Sequence, residues 1–61
     1  MNNINEMELQ NLRHLCLACD MEVEKYTVYA QDATDPYVKQ FFQKSAQSAT
    51  KNKQQLVQFL Q

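Results

Sequence analysis

Between Leu9 and Ala33 the apolar and small side chains recur every seven residues in two interleaved sets. Leu9, Cys16, Val23 and Ala30 form one; Leu12, Cys19, Tyr26 and Ala33, three residues later, form the other. Steps of three and four held for more than three heptads describe one continuous helix with a packed seam. The chain has no glycine, and its one proline lies beyond this stretch. A helix this long in 61 residues leaves room for a single partner helix. The chain is therefore restricted to a hairpin, or to a piece of an assembly.

Both helix starts are legible. Asn5 can cap the first helix, with Glu8 placed to reach back as in a capping box, and Ile4 and Leu9 are spaced for a hydrophobic staple. Residues 1–3 are expected to fray. At the other end, Thr34-Asp35-Pro36 stops one helix and starts the next. Pro36 cannot continue a helix, it disfavours helical geometry at Asp35, and it suits the first position of a new helix capped by Asp35. The spacing predicts helix 1 over about 6–33, a turn at 34–35 and helix 2 over about 36–60, as one domain covering 1–61. So short a link makes the two helices antiparallel neighbours. The seam of helix 2 reads Val38, Phe42, Ser45, Ala49, Asn52, Leu56 and Phe59, with Phe41, Ala46, Val57 and Leu60 at its flanks. Pivoting about residues 34–35 sets Tyr26 beside Phe42, Cys19 beside Ala49 and Leu12 beside Leu56.

Charge is segregated along the chain. Residues 1–35 hold all seven acids against Arg13 and Lys25, leaving −5; residues 36–61 hold four lysines and no acid, giving +4. Opposite signs favour the antiparallel pairing, although each exposed pair adds only about 0.2–1 kcal/mol. The net charge of −1 and the lack of interleaved Arg and aromatics argue against a nucleic-acid partner. No apolar run approaches the roughly 20 residues of a membrane span, and no signal-peptide pattern opens the chain. The expected location is the cytoplasm or a spore coat, with the thiols reduced.

Two helices bury too little surface to be comfortable alone. Helix 1 moreover carries more apolar surface than one partner covers. Leu15 and Tyr29 flank its seam with Glu22 between them, and Leu17, Met21 and Val28 run further round. The expectation is an all-α antiparallel hairpin that dimerises into a four-helix bundle. The pairing surface would include Leu15, Cys19, Glu22, Tyr26, Tyr29, Phe42, Ala49, Asn52 and Leu56.

No constellation demands a reaction. Cys16 and Cys19 form a C-x-x-C, yet they sit about three turns inside a helix instead of at an exposed N-terminus that would lower a thiol pKa. They supply two ligands where zinc takes four, so a metal would need both copies of a dimer, with His14 or Glu22 assisting. The plainer reading makes them small buried apolar residues, His14 a surface histidine, Glu22 one half of an ion pair with Lys51 or Lys53 across an interface, and Asn52 a core polar residue that fixes register. With a single histidine and no nucleophile in a triad-like context, neither catalysis nor a cofactor is expected.

The run Tyr26-Thr27-Val28-Tyr29-Ala30, the turn Asp35-Pro36 and the tail Leu56-Val57-Gln58-Phe59-Leu60 together resemble half of a ferritin-like bundle. A narrower similarity, carried by Lys25, Tyr26, Tyr29, Ala30, Asp32, Ala33, Asp35 and Pro36 with Phe42 and Leu56 following, is to the small spore-coat proteins of the coat-protein-F type. The resemblance implies a non-enzymatic structural role, self-association and contact with other coat proteins. The family's metal-ligand positions fall here on Cys19 (or on Glu22 if the register slips), Ala49 and Asn52, which implies a ferritin-like hairpin without its iron. The competing reading is a metal-binding or redox protein that uses Cys16 and Cys19 across the dimer.

Overall fold

The structure, a computed structural model, describes residues 4–60. It is an antiparallel hairpin of two helices, α1 (Glu6–Asp32) and α2 (Pro36–Gln58), 46 Å long and 14 Å by 12 Å in section. Residues 1–3, expected to fray, lie outside the described residues.

Both starts form as their sequences dictate. The Asn5 side chain accepts a bond from the Glu8 backbone N–H at 2.8 Å, while Glu8 Oε1 accepts from the Asn5 N–H at 3.2 Å, completing the capping box. Asp35 Oδ1 accepts from the backbone N–H groups of Tyr37 (2.8 Å) and Val38 (3.0 Å), with Pro36 opening the helix behind it. The ends are one or two residues tighter than the spacing suggested. α1 stops at Asp32 because Ala33 turns extended, its N–H still donating to the Tyr29 carbonyl. α2 stops at Gln58 because Phe59 and Leu60 donate three residues back, to Leu56 and Val57, instead of four. Thr27, Ser45 and Thr50, poor helix formers, donate their hydroxyls to the carbonyls four residues earlier.

The α1 seam is the one its periodicity marked. Leu9, Leu12, Val23, Tyr26 and Ala33 are half-buried, and Cys16, Cys19 and Ala30 are buried, whereas their helical neighbours between Leu9 and Ala33 are exposed. The α2 seam is displaced by one flank from the expected one. Phe42, Ala46, Ala49, Lys53, Leu56 and Leu60 line it, with Ser45 and Val57 beside them, while Val38, Asn52 and Phe59 are exposed. Asn52 is thus not a core residue of the hairpin; its neighbour Lys53 takes that place. The reason is physical: the lysine stem packs as an apolar chain, while its Nζ reaches the Asp20 carboxylate at 2.6 Å.

The buried positions of the seam are all small side chains. Ala49, 3% exposed, is the most buried residue described, and Cys16, Cys19 and Ala30 are the buried residues of α1. The bulky side chains gather nearer the ends.

Candidate functional site

The broad sides of the hairpin differ in chemistry. One is polar: its grooves are lined by Thr27, Gln31, Lys39, Gln43 and Gln47 near the turn and by Thr50, Gln54 and Gln58 farther away. The other is apolar at both ends. Toward the turn, Phe42 is the hub of an aromatic group. It stacks on Tyr26 with ring centroids 6.2 Å apart and meets Tyr29 (5.2 Å) and Phe41 (5.6 Å) edge-on. Lys25 Nζ lies 5.2 Å from the Tyr26 ring centroid. Phe42 and Tyr26 are half-buried, but Phe41 is 64% exposed, and Tyr29 and Val38 are also exposed. At the far end Leu15 (52% exposed) and Phe59 stand beside each other over Leu12. Between the two apolar ends runs a groove lined by Ala18, Cys19 and Glu22 of α1 and by Asn52, Gln55 and Leu56 of α2.

The residues expected to pair with a second copy converge on this side. Leu15, Glu22 and Tyr29 form its α1 edge and Asn52 its α2 edge, with Tyr26, Phe42 and Leu56 behind them. Cys19 and Ala49 lie at its floor, already covered by the hairpin itself. Phe41, Val38 and Phe59 also belong to it. The three could have been found from their spacing, because they lie on the same flank of α2 as Asn52. The apolar line Leu17, Met21 and Val28 lies elsewhere, exposed on the back of α1.

The ionisable candidates are not brought together. Lys53 pairs with Asp20, not with Glu22. His14 is exposed, roughly 200° around the helix from Cys16. Among the described residues no three His, Cys, Asp or Glu side chains converge to hold a metal ion. Cys16 and Cys19 are unbridged and lie beneath α2. A cross-dimer thiol site would require drawing them out of the seam.

Burial pushes the Cys19 thiol above its ordinary value, and negative charge at Glu22, Cys16 and Asp20 adds to the rise, with Lys53 opposing it. Such a thiol is a poor nucleophile. Because its folded value is raised, the associated stability is fully present below the unfolded thiol value and is lost as pH rises through the folded one. Lys53, raised by its bond to Asp20, acts in the same sense at still higher pH. Melting temperature is therefore expected to hold steady to about pH 8.5 and to decline above the ordinary thiol value of 9.0. Cys19→Ala should flatten the first part of that decline in thermal melts at pH 7, 9 and 10. Parallel profiles for the two proteins would contradict the assignment.

No family model matches the chain, and neither a curated protein nor a solved structure matches it. Fold and geometry define a class only, an all-α helical hairpin with one apolar broad side. No helix among the described residues is long and apolar enough to cross a membrane.

Proposed function

We propose that the chain is a non-enzymatic structural or assembly protein that acts as a homo-oligomer. Two hairpins close through their apolar sides into a four-helix bundle of ferritin-like architecture. The observation that carries this reading is surface area. The hairpin exposes 5080 Å², whereas compact monomers of its 7.2 kDa average roughly 4,100 Å². The excess is close to the ~800 Å² that each partner buries in a standard interface. Its apolar part includes Leu15, Tyr29, Val38, Phe41 and Phe59, which share one side of the molecule. The resemblance of the Lys25–Pro36 segment to small spore-coat proteins makes a coat component the specific form of the proposal, with other coat proteins as further partners. It calls for no cofactor, nucleic acid or membrane.

Sedimentation equilibrium should give twice the chain mass at micromolar concentration. Thermal melts followed by circular dichroism should shift upward over a hundredfold increase in concentration, because folding is coupled to association. A 7.2 kDa species with a concentration-independent melt would overturn the proposal.

A further inference from the structure

The two helices carry opposite charge. α1 holds six acids against Arg13 and Lys25, and α2 holds four lysines and no acid, so the formal charges are −4 and +4. Two hairpins can meet apolar side to apolar side around a twofold axis in two ways. If the axis runs along the helices, each α1 lies on the partner's α2 and both turns are at the same end. If the axis runs across them, α1 lies on the partner's α1, α2 on the partner's α2, and the turns are at opposite ends. The apolar contacts are matched either way, since each end of the side is apolar. Charge separates the two, because the second arrangement sets like against like along both helix pairs.

We infer that two copies of this chain pair with their turns at the same end, α1 against the partner's α2. This rests on the proposed homo-oligomer. The heights of individual residues agree with it. Asp20 meets Lys53 within the hairpin, so Glu22 and Lys51, each two residues nearer the turn, share one level, about 3 Å along their helices. A twofold axis parallel to the helices preserves height, so Lys51 of one copy comes level with Glu22 of the other. The same rung count sets Lys44 within about one turn of the partner's Asp32. Among the described residues the one ion pair is Asp20–Lys53, so Glu22 and Lys51 have no such contact inside the hairpin. Neighbouring helices run antiparallel in both arrangements, so the helix dipoles do not separate them and the side-chain charges do.

The test is a charge reversal read by sedimentation equilibrium at low salt. Glu22→Lys should weaken dimerisation roughly fivefold, since it sets lysines against lysines at two symmetric places, and Lys51→Glu added to it should restore most of the loss. If α1 lay on the partner's α1, Glu22→Lys would relieve repulsion and tighten the dimer, and Lys51→Glu would rescue nothing. Either of those outcomes overturns the inference. A second measurement places a spin label at Thr34→Cys in a Cys16→Ala, Cys19→Ala background whose helicity has been checked. Labels about 10–25 Å apart, the width of a four-helix bundle, support the inference. Labels separated by nearly the 46 Å length of the hairpin overturn the arrangement and leave the dimer standing. A monomer in both measurements overturns the arrangement and the homo-oligomer together.

Discussion

Phe42→Ala is expected to destabilise the fold by about 2–3 kcal/mol, and its exposed neighbour Phe41→Ala by less than about 0.5 kcal/mol at the level of the single hairpin. A fully buried Phe→Ala exchange costs about 3–5 kcal/mol; Phe42 is half-buried, which lowers the figure. Its ring is nevertheless in contact with Tyr26, Tyr29 and Phe41, and such aromatic pairs add about 0.5–1.5 kcal/mol each beyond their area. Removing it leaves Tyr26 without its stacking partner from α2, at the end of the hairpin where the link is shortest. For a chain of this size the melting temperature should fall by more than about 10 °C. Both variants should be melted over a range of concentrations, so that the concentration-dependent share of each loss is separated from that of the hairpin itself. On the proposed homo-oligomer, Phe41→Ala should instead show itself as weaker dimerisation. Equal losses for the two variants in the melt would show that the hub is not Phe42.

Ala49→Leu is expected to cost at least about 2 kcal/mol, in the opposite way, by overfilling. Ala49 is 3% exposed in the seam between the helices, and three more carbons there would press against α1. The helices would have to part, loosening the Asp20–Lys53 pair nearby and withdrawing contacts on both sides. Inserting methylenes into a packed site costs about 1–3 kcal/mol, occasionally more. Thr50→Leu, one residue on and exposed, is the control and should stay within about 0.5 kcal/mol of the parent. Urea unfolding of the three proteins decides the matter. A tolerated Ala49→Leu would mean that the helices are not in close contact at mid-length.

What could be read from the residues alone was what depends on local chemistry and on the seven-residue period. Asn5 with Glu8, and Asp35 with Pro36, fix the helix starts through bonds within four residues, and these formed as expected. The α1 seam was complete because each of its members is apolar or small. The α2 seam was harder, since α2 is rich in Gln, Lys and Ser and offers two candidate flanks around Phe42, Ala49 and Leu56. Asn52 and Lys53 are both polar, and no spacing rule says which lies inward. The choice was made by Asp20, more than thirty residues away on α1, which gives the lysine head a partner while its stem stays in the seam. The same pairing removed Lys53 as a partner for Glu22. The apolar side is partly legible: Leu15, Glu22, Tyr29 and Asn52 fall on it, while the heptad spacing sets Val38 and Phe59 in the seam and Phe41 at its flank.

The buried side chains of the hairpin are thiols and methyl groups, and Phe41 and Phe59 stand exposed at its rim. Tightening the fold and reshaping the surface it offers a neighbour are therefore the same operation. Phe41 and Ala49 share α2 and Phe59 caps its end, so a substitution that shifts α2 moves the two rings as it repacks Ala49. In a lineage of chains that pair as proposed, self-recognition would drift whenever stability drifted, with no mutation at the contact itself.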